Sequence, residues 1–243
     1  MRAMAAIRLD AEERRKAIID AALPLFARKG FATTTTKELA EAAGVSEALI
    51  FKHFPSKAAL YSEIMRSGCE GNPDLEMLKA LPPSTETLTW IVDGLVRYFV
   101  VQVPADPSGA QARKRLLVAS FLEDGEFARL AYDWVATQIL PIYTASIRAA
   151  VAAGDIPADS PVSPENGFWF AEHLAAMLAL VCLPGRSCVP RDCAAEDIVR
   201  QARRFILRGL GLREATIAIQ EEALRMRRAE DAAASQHHAA AAD

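Results

Sequence analysis

The sequence predicts an all-α protein, with an N-terminal helix-turn-helix domain followed by a larger helical domain. Three observations predict it. Apolar residues recur at helical spacing along most of the 243 residues, with no convincing alternation of a half-buried strand and no glycine-rich phosphate loop. Residues 34–54, TTTKELAEAAGVSEALIFKHF, carry the start and stop signals of two short helices around a single glycine. Charge is divided unevenly: residues 1–67 hold eleven Lys/Arg against eight Asp/Glu, and the rest hold seventeen against twenty-three. A basic front on an acidic body suits local contact with nucleic acid.

A first helix is expected from about Asp10 to Lys29, with Ile18, Ile19, Ala22, Leu25 and Phe26 as its core stripe. Pro24 removes a backbone donor inside it and should bend it, and Gly30 stops it. Thr35 or Thr34 caps the next helix, with Glu38, three residues after Thr35, placed to complete a capping box, and Leu39, Ala40 and Ala43 form its buried face. Gly44 supplies the permissive backbone of the turn, and Val45 plugs it from below. Ser46 caps a second short helix from Glu47 to about Phe54, with Leu49 expected inward and Phe54 closing the end. Ser56 caps a helix carrying Leu60, Tyr61, Ile64 and Met65, which Gly68 and Gly71-Asn72-Pro73 terminate.

Further helices are expected from Ser84 to about Val103, from Gly109 to Leu122, and from Glu126 to about Ala153 with a kink at Pro141. The stretch from Gly154 to Pro164 is a proline-punctuated loop. Ser163 caps a helix to Leu183, which Pro184-Gly185 ends. An amphipathic helix follows over 195–210, with Ile198, Ala202, Phe205, Ile206 and Leu207 on its buried side. The tail from Arg213 continues as helix, a solvated end whose alanine-rich last residues, 232–243, should fray.

The blocks LFARKGF, TTTKELAEAAGVS and IFKHFPSKAAL, in this order and spacing, resemble the DNA-binding domain of the tetracycline-repressor (TetR) family of bacterial regulators, over roughly Arg14 to Glu63. The resemblance implies a DNA-binding domain over 1–67, a helical effector-binding and dimerisation domain over 68–212, and an extension over 213–243 without an assigned role. It implies a regulator, most simply a repressor, that binds a near-palindromic double-stranded DNA operator as a homodimer paired through helices 163–183 and 195–210. A small, apolar or aromatic effector would release it, and no cofactor is implied.

Carried over residue by residue, Thr34, Thr35 and Lys37 match positions that hold the DNA backbone, and Lys57 matches a phosphate-contacting lysine. Ser46, Glu47, Ala48, Phe51, Lys52 and His53 belong to the groove-facing helix. Four positions depart from the family pattern. Phe51 stands where a tyrosine commonly bonds a phosphate, Ala48 and Leu49 stand where glycine and threonine are frequent, and Glu47 replaces a frequent cation. Glu47 repels phosphates unless it accepts from a cytosine amino group. Among the body's aromatics, Trp134, Tyr143 and Phe168, with His173, are the candidate effector pocket.

Other readings have narrower support. Cys182, Cys188 and Cys193 lie around a proline-bracketed loop near Arg186 and Arg191, where a lowered thiol pKa would permit a redox input. Loss of DNA binding, leaving a helical dimeric interaction protein, is the alternative that Glu47, Leu49 and Phe51 keep open. No usual zinc spacing, nucleophile elbow or metal-binding helix motif points to an enzyme or a metal site. No apolar run has membrane-spanning length, and the charged N-terminus is unlike a signal peptide. Four cysteines in this length fit reduced thiols in a cytoplasm, which the family resemblance implies is a bacterial one.

Overall fold

In the computed structural model of the chain, residues 10–68, 73–106, 109–183, 187–190 and 193–240 are described, with the backbone alone for 73–74 and 231–240. Cys69, Gly71, Asn72, Pro184, Gly185, Arg186 and Arg191, on which expectations rested, lie outside the described residues.

The described elements are all helical: α1 (Ala11–Lys29), α2 (Thr36–Ala43), α3 (Glu47–His53), α4 (Lys57–Ser67), α5 (Pro73–Ala80), α6 (Thr85–Arg97), a π-helical turn (Tyr98–Gln102), α7 (Val103–Ala105), α8 (Ala110–Leu122), α9 (Glu126–Gln138), α10 (Leu140–Ala152), α11 (Pro164–Leu180), α12 (Ala195–Gly209) and α13 (Glu214–Ala240). The single long helix expected over 126–153 is two. The chain breaks at Ile139, and Pro141 enters α10 in its first turn, where a missing N–H costs nothing. Pro24, by contrast, is accommodated inside a helix assigned without a break.

Contacts group the chain into two compact units, Met1–Asn72 with Val103–Val135 and Pro73–Gln102 with Ala136–Asp243. Residues 103–135, beyond the boundary expected after residue 67, therefore pack with the N-terminal helices. The reason is the core of the first unit. Ile18, Ala22, Phe26, Leu39, Ile50, Phe54, Leu60 and Ile64 leave a space that Leu116, Leu117, Phe127 and Ala128 fill. Tyr61 sits at the join, its ring 5.1 Å from Phe26 and 5.0 Å from Phe127, both edge-on. Gly30, at φ +77°, ends α1 in a conformation that suits glycine, and a side chain there would also overlap the Glu123 carboxylate.

In the second unit α6 packs against α10 and α12, and α10 against α11. Its least expected feature is ionic. Asp93 on α6 is buried, and it accepts from Arg203 Nη1 of α12 at 2.6 Å and from Arg228 of α13, with Arg97 Nε 3.7 Å away. A buried carboxylate survives only with such partners. This pairing corrects two expectations. It turns Val199 and Arg203 of α12 inward and leaves Phe205, expected on the buried side, 66% exposed. It also ties down the tail: Ile217 and Leu224 are buried, and Arg227 stacks 4.0 Å from the centre of the Trp90 ring. Alanine's helix propensity fits the helix continuing to Ala240 where fraying was expected.

Candidate nucleic-acid interface

The site begins with local caps. Thr35 Oγ1 accepts from the Glu38 amide at 3.2 Å while Glu38 Oε2 accepts from the Thr35 amide at 3.0 Å, so the capping box closes in both directions. Lys29 and Thr35 hold the Glu38 carboxyl down at about 2, well below its usual range. Gly44 adopts the left-handed conformation at φ 65°, and the Val45 amide reaches back to the Ala40 carbonyl at 3.0 Å. Ser46 Oγ then accepts from the Leu49 amide at 3.2 Å and starts α3.

The rotation of α3 about its axis differs from expectation. Ile50, not Leu49, is its inward residue, at 1% exposure, and Leu49 is only half-buried. Phe54 is buried as expected. A helix turns 100° per residue, so with Ile50 and Phe54 inward the residues presented outward are Ala48, Phe51 and Lys52, with Glu47 one turn before Phe51. Lys37 and Ser46 are also exposed, and His53 is half-buried.

Two expected backbone contacts are partly engaged inside the fold. Thr34 is 1% exposed, and its hydroxyl donates to the Gly30 carbonyl at 2.7 Å, so its side chain faces the core and not solvent. Lys57 Nζ donates to the Phe31 and Thr34 carbonyls at 2.6 and 2.9 Å and lies 4.2 Å from the centre of the Phe31 ring. An ammonium has three donors, so one remains for a phosphate oxygen.

Arg15 was missed by sequence reasoning. Its Nη1 donates to the His53 carbonyl at 3.1 Å, its guanidinium lies 4.5 Å from the centre of the Phe54 ring, and Nη2 pairs with Glu63 at 3.0 Å. It thereby fastens the end of α3 to α1 and α4. Arg66 first, and then Arg15, hold the Glu63 carboxyl below its ordinary value. Nothing in the spacing of residues 15, 53 and 63 announces this, because the three meet only once the helices pack.

The candidate effector residues are divided between the two units. Trp134 belongs to the first unit, and the other three to the second. Tyr143 and Phe168 form a fully buried edge-on pair, 5.1 Å apart, but His173 stands on the exposed side of α11. The Tyr143 hydroxyl and Ser146 Oγ have no hydrogen-bond partner among the described residues, and burial pushes the Tyr143 phenol up. A side chain at Gly167 would lie 3.5 Å from both that hydroxyl and Val162, and Val162, Ile147 and Leu210 help line an open cleft of about 290 Å³. Cys188 and Cys193 are exposed and Cys182 half-buried, all three as free thiols. Among the described residues no cluster of His, Cys, Asp or Glu could hold a metal ion, and no single helix is long and apolar enough to cross a membrane.

Residues 18–64, which build this site, match the family model for bacterial regulatory proteins, tetR family. The chain is 50% identical over 50 residues to YvkB of Bacillus subtilis (strain 168), an uncharacterized HTH-type transcriptional regulator, covering 21% of this chain and 26% of the relative. It is 40% identical over 68 residues to the HTH-type transcriptional regulator AcrR of Shigella flexneri, covering 28% and 32%. The chain thus spans about a quarter to a third of the length of these curated relatives. Among solved structures it resembles NalD, the secondary repressor of the MexAB-OprM multidrug efflux pump in Pseudomonas aeruginosa, at TM-score 0.60 and 19% identity over 84% of this chain and 100% of that one. FadR of Bacillus subtilis in complex with stearoyl-CoA aligns at TM-score 0.59 and 13% identity over 80% and 98%. At such identities the likeness is one of fold.

Proposed function

We propose that this chain, which belongs to the tetR family of bacterial regulatory proteins, is a DNA-binding transcriptional repressor that acts in the cytoplasm as a homodimer and leaves its operator when a small molecule binds. The observation that carries the reading is the outward face of α3. Its reading residues stand in solvent while Ile50, Phe54 and Arg15 fix the helix from behind. Lys37, Lys52 and the remaining donor of Lys57 supply phosphate contacts, which set affinity and its salt dependence.

Dimerisation is supported by α11 and α12, which pack on each other and leave Phe170, Met177 and Phe205 at 64%, 55% and 66% exposure. Large apolar side chains exposed on neighbouring helices suit a two-fold interface. Two copies would then address successive major grooves, about 34–36 Å apart. For the effector, the second unit offers buried hydroxyls on Tyr143 and Ser146 that lack partners among the described residues. A ligand with an apolar body and a polar group would satisfy them, and would release DNA by binding the DNA-incompetent state more tightly.

The test is a gel shift with the full chain on the intergenic DNA beside its own gene, at two salt concentrations against random duplex. A specific shift, weakened by salt and weaker and less salt-dependent in Lys52→Ala, is expected. Equal binding to promoter and random duplex, indifferent to Lys52, would overturn the reading.

A further inference from the structure

We propose that Ala48 and Phe51 read the 5-methyl group of thymine, so that each operator half-site carries a thymine where the Phe51 ring meets the major groove. The inference rests on the DNA-binding reading and adds a base preference to it.

The argument starts from the rotation of α3. With Ile50 and Phe54 inward, Phe51 is left 48% exposed beside exposed Ala48, three residues earlier on the same side of the helix. These two make an apolar surface on a helix whose other outward groups, Glu47 and Lys52, are charged. A phenyl ring has no hydrogen-bonding group, so Phe51 bonds neither a phosphate oxygen nor the polar edge of a base. Of the four bases only thymine displays an apolar substituent in the major groove, its 5-methyl beside the O4 acceptor; guanine and adenine present only donors and acceptors there, and cytosine its amino donor with no methyl for a ring to cover. Covering one of those with a ring strips water from a polar atom and returns no hydrogen bond. The chemistry of the surface therefore favours thymine and disfavours the other three. Glu47 sharpens the placement: one turn before Phe51, it is repelled by both phosphate strands and is left with the base edges, where a cytosine amino group is the matching donor.

The experiment selects bound sequences from a random duplex library with the full-length protein. The thymines of the selected half-site are then replaced one at a time by deoxyuridine, which keeps every hydrogen-bonding group and removes only the methyl. We expect one position per half-site at which the replacement weakens binding about fourfold, and about fifteenfold with both half-sites replaced, the worth of one buried carbon each. Phe51→Ala should bind the thymine and deoxyuridine duplexes equally, its fold confirmed by circular dichroism, since the ring is half-exposed. Wild-type binding that no deoxyuridine replacement alters overturns this inference and leaves DNA binding standing. Failure of the library to yield any enriched sequence overturns the repressor reading itself, and this inference with it.

Discussion

Phe127→Ala tests whether residues 103–135 belong to the structural core of the first unit. Phe127 is 2% exposed, and its ring lies 5.0 Å from that of Tyr61 on α4, which in turn contacts Phe26 on α1. Truncating a buried phenylalanine removes its transfer free energy and leaves a cavity, at a cost of about 3–5 kcal/mol. If the unit opens as one body, that cost appears in every protected amide of α1 and α4, although the substitution lies outside both. At about 1.4 kcal/mol per tenfold, hydrogen exchange at Leu25, Phe26 and Ile64 should rise by roughly two to three and a half orders of magnitude. Phe127→Leu, which keeps most of the volume, should show a much smaller rise. Unchanged exchange in α1 and α4 beside rapid exchange in α8 and α9 would refute the reasoning. The N-terminal helices would then hold together without residues 103–135.

Two further outcomes follow from the ion pairs and the exposed faces. The Glu63 carboxyl is held below its ordinary value of 4.5 by Arg66 and Arg15, so the unfolded chain binds more protons than the folded one below that pH. Its stabilisation is full above about pH 4.5 and is lost as pH falls through the lowered folded value, so Glu63→Gln should flatten the acid limb of a stability–pH curve. A parallel acid limb in that variant would remove Glu63 from the account. Phe205→Glu places a charge at an exposed apolar position of α12, and should convert a dimer to a monomer in light scattering without changing helix content. A dimer of unchanged affinity would locate the interface elsewhere.

Much of the site was legible because it is built by local rules. Thr35, Glu38, Gly44 and Ser46 make their caps and turn within a few residues of chain, where hydrogen-bond reach and the freedom of glycine at positive φ leave little choice. The stripe of α1 was visible for the same reason, since helical periodicity is a property of spacing. What the sequence left open was the direction each short helix faces. Leu49 and Ile50 are adjacent and equally apolar, and in a seven-residue helix no periodicity separates them; the core packed beneath α3 takes Ile50. That choice decides which residues α3 turns outward.

The sequence by itself therefore determined the helical class, the helix-turn-helix and its N-terminal position, because caps, glycines and periodic apolar residues act over a few residues of chain. Only the tertiary structure decided the rest. Arg15 on the end of α3, Phe127 in the core of the first unit, and Asp93 drawing α12 and α13 around one buried charge are all contacts between residues at least thirty-eight apart. Such contacts depend on which faces the packed helices turn to one another, and a buried charge or a filled cavity is a property of the assembled core, not of any local stretch.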